Sequence, residues 1–192
     1  MPRPPRPLEV GDLPEYRKST LAAVEPLIGN GAEVVIYGCT SAGFLAGPQG
    51  DRDFVQALSD RVGAPTVSTS TAILSALAEA GINHVDVVSP YLDWKNEMLR
   101  HFLTSSGIDV VRLESFGAAN PTELGRITSD QVMQKCLDTA SPGVAALFIA
   151  CSQLPTREVI PVLADRLQRP VWSSVKAAAW QASRTLTGLL PA

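Results

Sequence analysis

Ala146-Leu-Phe-Ile-Ala-Cys151-Ser is a short apolar run that ends in a cysteine and a hydroxyl residue. A continuous run of this kind predicts a strand covered on both faces, as in a parallel sheet. An earlier stretch, Val34-Val-Ile-Tyr-Gly-Cys39-Thr-Ser, has the same order of features. In both copies a predicted helix, a proline, a short strand with serine and an alanine-rich helix follow. We interpret the copies as similar lobes related by a pseudo-two-fold axis; the alternative is a chance likeness between two βαβ units.

Predicted helices and strands alternate along the chain, which favours parallel sheets joined by right-handed crossovers. The predicted strands span residues 33–37, 66–68, 84–88, 109–113, 145–150 and 171–172. The predicted helices span residues 14–28, 53–62, 70–80, 93–105, 129–140, 157–167 and 176–189. The fold class is therefore α/β, with two pseudo-symmetric lobes whose parallel sheets are flanked by helices. We expect a first lobe over 1–72 with Cys39, a second over 73–175 with Cys151, and a final helix over 176–192.

Composition limits the classes of function. Apolar residues make up 45% of the 192 residues and charged residues 18%, which is typical of a folded globular protein. The net charge of −3 offers no basic stripe for nucleic acid, and no apolar run approaches the roughly 18–20 residues of a membrane span. The sequence has 2 histidines, so a histidine-rich metal site is excluded.

The cysteines and the N-terminus indicate the compartment. The chain has 3 cysteines, no Cys-x-x-Cys pair and no apolar signal region at its start. This pattern favours a cytoplasmic protein with reduced thiols. The proline-rich residues 1–7 are interpreted as a frayed tail.

Two cysteines are placed where ligands bind in parallel sheets, at the carboxyl ends of strands. If the lobes face each other, Cys39 and Cys151 flank one cleft. Two such thiols can move a proton from one face of an acidic carbon to the other, or one can add to an electron-poor double bond. Neither route requires a metal or a cofactor. Cys136 lies within a predicted helix and is interpreted as structural; taken singly, each of the other two could also be a small buried hydrophobe.

Polar residues beside the cysteines predict a carboxylate site. Thr40, Ser41 and Ser152 offer hydroxyl donors, and the backbone N–H groups after each cysteine begin helices or turns, where anions are favoured. Tyr91 and Asn120 also follow predicted strands, so both could contact a substrate. The alternatives are a packed loop aromatic for Tyr91 and a turn residue for Asn120.

Four segments resemble the aspartate/glutamate racemase superfamily, in its branch of maleate cis-trans isomerases and arylmalonate decarboxylases. They are Gly38-Cys-Thr-Ser41, Pro90-Tyr-Leu-Asp93 with Asn96-Glu97, Ala150-Cys-Ser-Gln-Leu-Pro155, and the stretch from Ile160-Pro to Trp180. The resemblance runs from about Leu8 to Leu189. It implies a racemase-like two-lobed fold and a cofactor-independent enzyme that acts on a small carboxylate.

The same resemblance implies roles for individual residues. Cys39 would be the nucleophile or first base, and Cys151 the proton donor. Thr40, Ser41, Tyr91 and the backbone after Cys151 would bind the carboxylate, and Asn120 would contact the substrate. The decarboxylases of this branch have glycine where this chain has Cys39.

The resemblance also shows a departure, because family members begin with two further strands. We expect the first lobe to keep two of the family's four strands. A misassigned gene start, a shortened chain or a degenerate family member would each explain this difference. An exposed sheet edge invites pairing with another chain, such as a second copy in a homo-oligomer. The alternatives to an isomerase or racemase are a decarboxylase with Cys151 as sole proton donor, and an inactive carboxylate-binding member.

The surroundings of the two thiols predict different resting states. Cys39 has Gly38 before it and two hydroxyl residues after it, whereas Cys151 follows the most apolar strand, where desolvation opposes charge. We expect Cys39 to be the thiolate, with the lower pKa, and Cys151 the protonated donor.

Overall fold

Strands and helices alternate along residues 6–188, the part of the chain that this computed structural model describes. The strands are β1 (Val35–Tyr37), β2 (Thr66–Ser68), β3 (His84–Ser89), β4 (Asp109–Ser115), β5 (Ala146–Ile149) and β6 (Val171–Ser173). The helices are α1 (Leu13–Ala23), α2 (Thr40–Leu45), α3 (Gly47–Val62), α4 (Thr69–Glu79), α5 (Asp93–Thr104), α6 (Pro121–Leu124), α7 (Ser129–Thr139), α8 (Val159–Leu167) and α9 (Ser174–Leu186). Single 3₁₀ turns span Val10–Asp12 and Glu25–Leu27.

The larger sheet has the strand order β4-β3-β5-β6, and all its pairs are parallel. Its two central strands, β3 and β5, are the most deeply buried, because helices cover both faces of a parallel sheet. Every residue of β5 is buried, and Leu147 and Phe148 are completely inaccessible. The apolar run Ala146–Ile149 therefore forms the centre of this sheet.

The smaller sheet pairs β1 with β2 in parallel, with Val35 opposite Thr66 and Tyr37 opposite Ser68. Within the described residues this sheet has two strands, as the sequence predicted. Strand β1 forms its edge, where the Ile36 side chain is 47% exposed.

The repeat predicted from the sequence takes the same form in both halves. In each, a strand leads through a cysteine and a helical segment to a short strand that ends in serine. Ser68 caps α4 and Ser173 caps α9 through their side-chain oxygens, and these two helices pack against each other. The predicted α/β class with parallel sheets flanked by helices is thus confirmed. The lobe limits stay a prediction, since the divisions after residues 72 and 175 fall inside α4 and α9.

Local differences from the predicted elements have identifiable causes. The helix predicted over 53–62 begins earlier: Thr40–Val62 is helical in two pieces, although its glycines and proline are typical of a loop. Pro48 stands in the first turn of α3, where its missing N–H costs nothing. Gly43 is required in α2, because a Cβ there would collide with Ser70 and Asp51. The helix predicted over 14–28 ends at Ala23 and is followed by a 3₁₀ turn.

Two predictions concern the ends of the chain and membranes. Most of the predicted tail over 1–7, and residue 189 of the last predicted helix, lie outside the described residues. Arg6 and Pro7 are described, and they line the cavity discussed below rather than fray away from it. No helix in the described range combines the length and hydropathy that a membrane crossing requires.

Candidate active site

A cavity of about 90 Å³ opens where the loops after β1, β3 and β5 meet. Its lining includes all the residues that the sequence predicted for the site: Cys39, Thr40, Ser41, Tyr91, Asn120, Cys151 and Ser152. These residues follow strands of both sheets, so the fold brings together positions that are more than a hundred residues apart in sequence. Their roles toward a substrate stay predictions.

Cys39 lies between β1 and α2 and stands at the N-cap position of that helix. Its side chain is partly exposed, and its sulfur lies 3.8 Å from the Ser41 Oγ. A hydroxyl at this distance from a thiol can support the thiolate with a weak hydrogen bond.

Cys151 follows β5 and is 6% exposed. Its backbone has φ of 100°, in the region that favours glycine, which is a strained conformation for a residue with a side chain. Two hydrogen bonds hold it there: its N–H donates to the Ser174 Oγ at 3.1 Å, and the N–H of Gln153 donates to its sulfur at 3.5 Å. Such strain is concentrated at functional sites, where surrounding contacts enforce the geometry.

One hydrogen bond joins the two cysteine loops. The Ser152 hydroxyl donates to the carbonyl of Gly38 at 2.6 Å, which links the residue after Cys151 to the residue before Cys39. The loops are therefore held together across the two sheets. Ser152, predicted as a substrate contact, has its proton engaged in this link.

The two hydroxyl residues after Cys39 differ in their surroundings. Thr40 is buried, and its hydroxyl donates to the Thr69 hydroxyl at 3.1 Å, while the Ser70 hydroxyl donates to its carbonyl at 2.8 Å. Ser41 is partly exposed and has its hydroxyl beside the Cys39 sulfur. Ser41 is thus the more accessible donor, and Thr40 anchors the loop.

Tyr91 is 8% exposed, and its ring packs edge-on against Phe44 at a centroid distance of 5.3 Å. Its loop is fixed by hydrogen bonds to its backbone: the Asn96 amide donates to its carbonyl at 3.0 Å, and the Ser89 hydroxyl accepts from its N–H at 3.2 Å. Asn96, part of the segment that resembled the family, therefore shapes this loop.

Asn120 lines the cavity as the N-cap of α6. Its side-chain oxygen accepts from the Glu123 N–H at 3.0 Å, and its amide group donates to the Glu123 carboxylate at 2.9 Å. Asn120 thus caps a short helix, a structural role close to the turn role stated as the alternative, and binding a substrate would require exchange of these bonds.

Sequence reasoning missed the charged residues of the cavity, Lys95 and Arg6. Arg6 is exposed and pairs with Asp12 at 2.8 Å and with Glu9 at 3.1 Å. Lys95, in the first turn of α5, is 3% exposed. No local pattern signals a buried lysine in Asp93-Trp-Lys-Asn96, since lysine on a helix is ordinarily solvated.

Burial sets the electrostatics of Lys95. Desolvation lowers its pKa from 10.5 to about 8, opposed by the fields of nearby Cys39 and Cys151 and, more weakly, of Glu9 and Asp12. Its Nζ lies 5.1 Å from the ring centroid of Trp94 and 5.7 Å from that of Tyr91, within cation–π range. The cavity thus contains a nearly inaccessible cation beside two thiols.

Cys136 lies outside the cavity, on α7, and is completely buried. Burial raises the pKa of its thiol to about 12. Its predicted structural role agrees with this environment. In the described part of the chain, no group of three or more histidine, cysteine or acidic side chains is arranged to hold a metal ion.

Comparison with known proteins gives the family. A family model described as arylmalonate decarboxylase matches residues 15–189, which is most of the chain. The chain belongs to the arylmalonate decarboxylase family. The branch that the sequence motifs resembled is thereby confirmed.

Individual relatives agree with this assignment. Arylmalonate decarboxylase of Bordetella bronchiseptica is 29% identical over 160 residues, which are 82% of this chain and 67% of that protein. A glycine-to-cysteine variant of arylmalonate decarboxylase, in a sulfate-associated form, superposes with a TM-score of 0.81 at 28% identity, covering 92% of this chain and 76% of that one. A cysteine-to-serine variant of Nocardia farcinica maleate cis-trans isomerase, with a covalently bound succinylcysteine intermediate, shares the fold with a TM-score of 0.84 at 22% identity, covering 93% and 74%.

The chain matches only part of each curated relative. It spans 67% of the length of the Bordetella decarboxylase and between 49% and 64% of three maleate isomerases. What the longer relatives do is therefore transferred to this chain only as a proposal.

Proposed function

We propose that this chain is a cofactor-independent isomerase or racemase of a small carboxylic acid, with Cys39 and Cys151 as its catalytic thiols. The observation that carries the proposal is that both thiols line one cavity, held there by loops from different sheets. A cavity of about 90 Å³ is well below the roughly 300–1,000 Å³ of drug-sized sites, which suits a small acid. Free cysteines fit a reducing compartment such as the cytoplasm.

In the isomerase version, the Cys39 thiolate adds to one carbon of a cis C=C bond that carries carboxylates. The π-electron pair moves onto the adjacent carbon and its carboxylate, and the Cys151 thiol protonates that carbon. Rotation about the resulting single bond, return of the proton to Cys151 and departure of the Cys39 thiolate give the trans acid. The adduct would be a succinylcysteine, the species named for the Nocardia isomerase variant.

In the racemase version, no covalent bond forms to sulfur. The Cys39 thiolate removes the proton from the carbon next to the carboxylate, and the electron pair delocalises into an enediolate. The Cys151 thiol then donates a proton to the opposite face. Both versions need donors that stabilise the enediolate, and Ser41, Tyr91 and the backbone after Cys151 fit that role because they line the cavity.

The test is turnover in deuterated water with maleate, 2-arylpropionates and acidic amino acids, followed by proton NMR. We expect isomerisation, or solvent deuterium at the carbon next to the carboxylate, in at least one class. Cys39→Ser and Cys151→Ser should each abolish it. Cys136→Ala is the matched control, because that thiol is buried outside the cavity, and it should retain activity. Absence of both turnover and label in all three classes would overturn the proposal.

The second candidate is a decarboxylase of disubstituted malonates with Cys151 as the only proton donor. It is favoured by the family model over residues 15–189 and by the Bordetella relative. Cys39 opposes it, since the resemblance places glycine at this position in the decarboxylases. Carbon dioxide release from phenylmalonate decides between the two: Cys151→Ala should remove either activity, whereas Cys39→Gly should abolish isomerisation but not decarboxylation.

A further inference from the structure

Lys95 is a charged residue that the proposed reaction does not use. It belongs to the first turn of α5, which packs against α2, the helix that follows Cys39. At 3% exposed it is far more buried than a lysine ordinarily is, and it nevertheless lines the cavity with both thiols. Its side chain therefore borders a space that a ligand can enter.

Among the residues that the structure describes, Lys95 forms no ion pair. In the described range of residues 6–188, no acidic side chain lies within 4.0 Å of its Nζ. The nearby acids Glu9 and Asp12 are held by Arg6 instead. The rings of Trp94 and Tyr91 lie within cation–π range, but they carry no net charge.

A buried cation without a counter-ion is costly, and a bound anion removes that cost. Desolvation is the main cause that lowers the pKa of Lys95 to about 8, as expected for an ammonium that is buried in this way. At neutral pH the ammonium is still charged, so an incoming carboxylate finds a desolvated partner. A charge-assisted hydrogen bond in these surroundings is stronger than one at the surface.

We propose that Lys95 is a specificity-determining residue that pairs with a second carboxylate of the substrate. The first carboxylate then occupies the donors around Thr40 and Ser41, on a different element from Lys95. The inference rests on the proposed function, because it places the substrate in the same cavity. It predicts selection of dicarboxylates over monocarboxylates of the same length.

The same pairing bears on the choice of reaction. A carboxylate must lose its negative charge to leave as carbon dioxide, so an ammonium that stabilises this charge in the bound substrate opposes decarboxylation. In cis-trans isomerisation both carboxylates are still present in the product. The ion pair with Lys95 can therefore be kept throughout the reaction. Lys95 therefore favours a reaction that keeps both carboxylates.

The experiment uses succinate and butyrate, which have the same carbon chain and differ in one carboxylate. Calorimetry on the whole chain at pH 7 should show succinate binding at least ten times more tightly than butyrate. Lys95→Met should weaken succinate by about 10- to 100-fold, the range for a hydrogen bond between charged groups, and leave butyrate unchanged. Lys95→Arg should retain part of the selectivity, and Lys176→Met is the matched control, since Lys176 also stacks on a tryptophan but lies outside this cavity.

Three results would overturn the inference: equal affinity for the two acids in the unmodified chain, an equal loss for both in Lys95→Met, or no loss for succinate. If Lys95→Met weakens the binding of both acids equally and also changes the rate of thiol alkylation, Lys95 acts through the thiolates. Neither probe can be turned over, so the outcome is separate from that of the activity test. Selective succinate binding without turnover of any acid would refute the proposed function and leave the Lys95 site standing.

Discussion

Replacement of Lys95 by methionine should stabilise the ligand-free protein at pH 7. Methionine keeps an unbranched side chain of similar length in the same packed space, and it removes the charge. A residue that is destabilising before ligand arrives is expected at a binding site, because its charge is balanced only in the complex. Stability and binding should therefore change in opposite directions on this substitution.

The magnitude follows from the pKa of Lys95. A fall from 10.5 to about 8 on folding corresponds to an upper limit of about 3 kcal/mol in the free energy of unfolding. Water in the cavity screens part of this penalty, and loss of cation–π attraction to Trp94 and Tyr91 offsets about 0.5–1 kcal/mol of the gain. We expect Lys95→Met to raise the free energy of unfolding by about 1–2 kcal/mol.

The pH dependence has a defined sign. Below about pH 8 the folded protein must carry the buried charge, so the penalty is fully present. Between about pH 8 and 10.5 the unfolded chain binds more protons than the folded one, so stability rises with pH and the penalty disappears. The fields of Cys39, Cys151, Glu9 and Asp12 favour the charged lysine, and the pKa of about 8 already includes their opposition to desolvation.

The assay is urea unfolding of the unmodified chain and Lys95→Met, at pH 7 and pH 10.5. The variant should be more stable at pH 7, and the difference should shrink towards zero at pH 10.5. Excess succinate should stabilise the unmodified chain and have little effect on the variant. Lys176→Met controls for loss of a lysine that stacks on an indole. A variant that is less stable at pH 7, by the same amount at both pH values, would show that Lys95 is a packing residue and refute the reasoning.

Three further predictions concern the cysteines and their link. Iodoacetamide at near-neutral pH, followed by mass mapping, should label Cys39 first because it is the most exposed of the three cysteines. Cys136 should be labelled last, because burial raises its pKa to about 12. Faster labelling of Cys151 than of Cys39 would reverse the assigned roles. Cys151→Gly should be more stable to urea than Cys151→Ala by about 1 kcal/mol, because only glycine relaxes at φ of 100°; equal stability would mean that the backbone is unstrained. Ser152→Ala should lower the free energy of unfolding by about 0.5–1 kcal/mol and turnover several-fold, because it removes the hydrogen bond between the two cysteine loops. Unchanged turnover would show that this hydrogen bond is not needed for activity.

The sequence predicted the frame of the site because its signals are local. A buried parallel strand has a recognisable apolar run, and the residue after it must lie at the carboxyl edge of the sheet. Cys39 and Cys151 could therefore be placed together from the order of elements alone. Ser68 and Ser173, the last residues of β2 and β6, cap the helices that follow them directly.

The rest of the site depends on contacts between distant segments, which no local pattern contains. Lys95 is buried on α5, which packs against α2, and it lines the same cavity as N-terminal residues. The hydroxyls of Thr40 and Ser152 could be predicted as donors, but their partners, Thr69 and Gly38, come from other loops. The strained φ of Cys151 likewise depends on its neighbours, because a cysteine gives no sign of it in sequence.

Cys39 and Lys95 are the two cavity residues that we expect to oppose release of carbon dioxide, and they can be tested together. By the resemblance, Cys39 takes the place of a glycine of the decarboxylases, and Lys95 is proposed to hold a carboxylate charged, so each should oppose departure of a neutral molecule. Cys39→Gly alone should release carbon dioxide from phenylmalonate slowly, because the ammonium still stabilises the leaving carboxylate. Adding Lys95→Met should raise this rate at least several-fold while Cys151 still supplies the proton. If the double variant is no faster than Cys39→Gly, the ammonium does not oppose decarboxylation, and the choice between the two reactions lies in Cys39 alone.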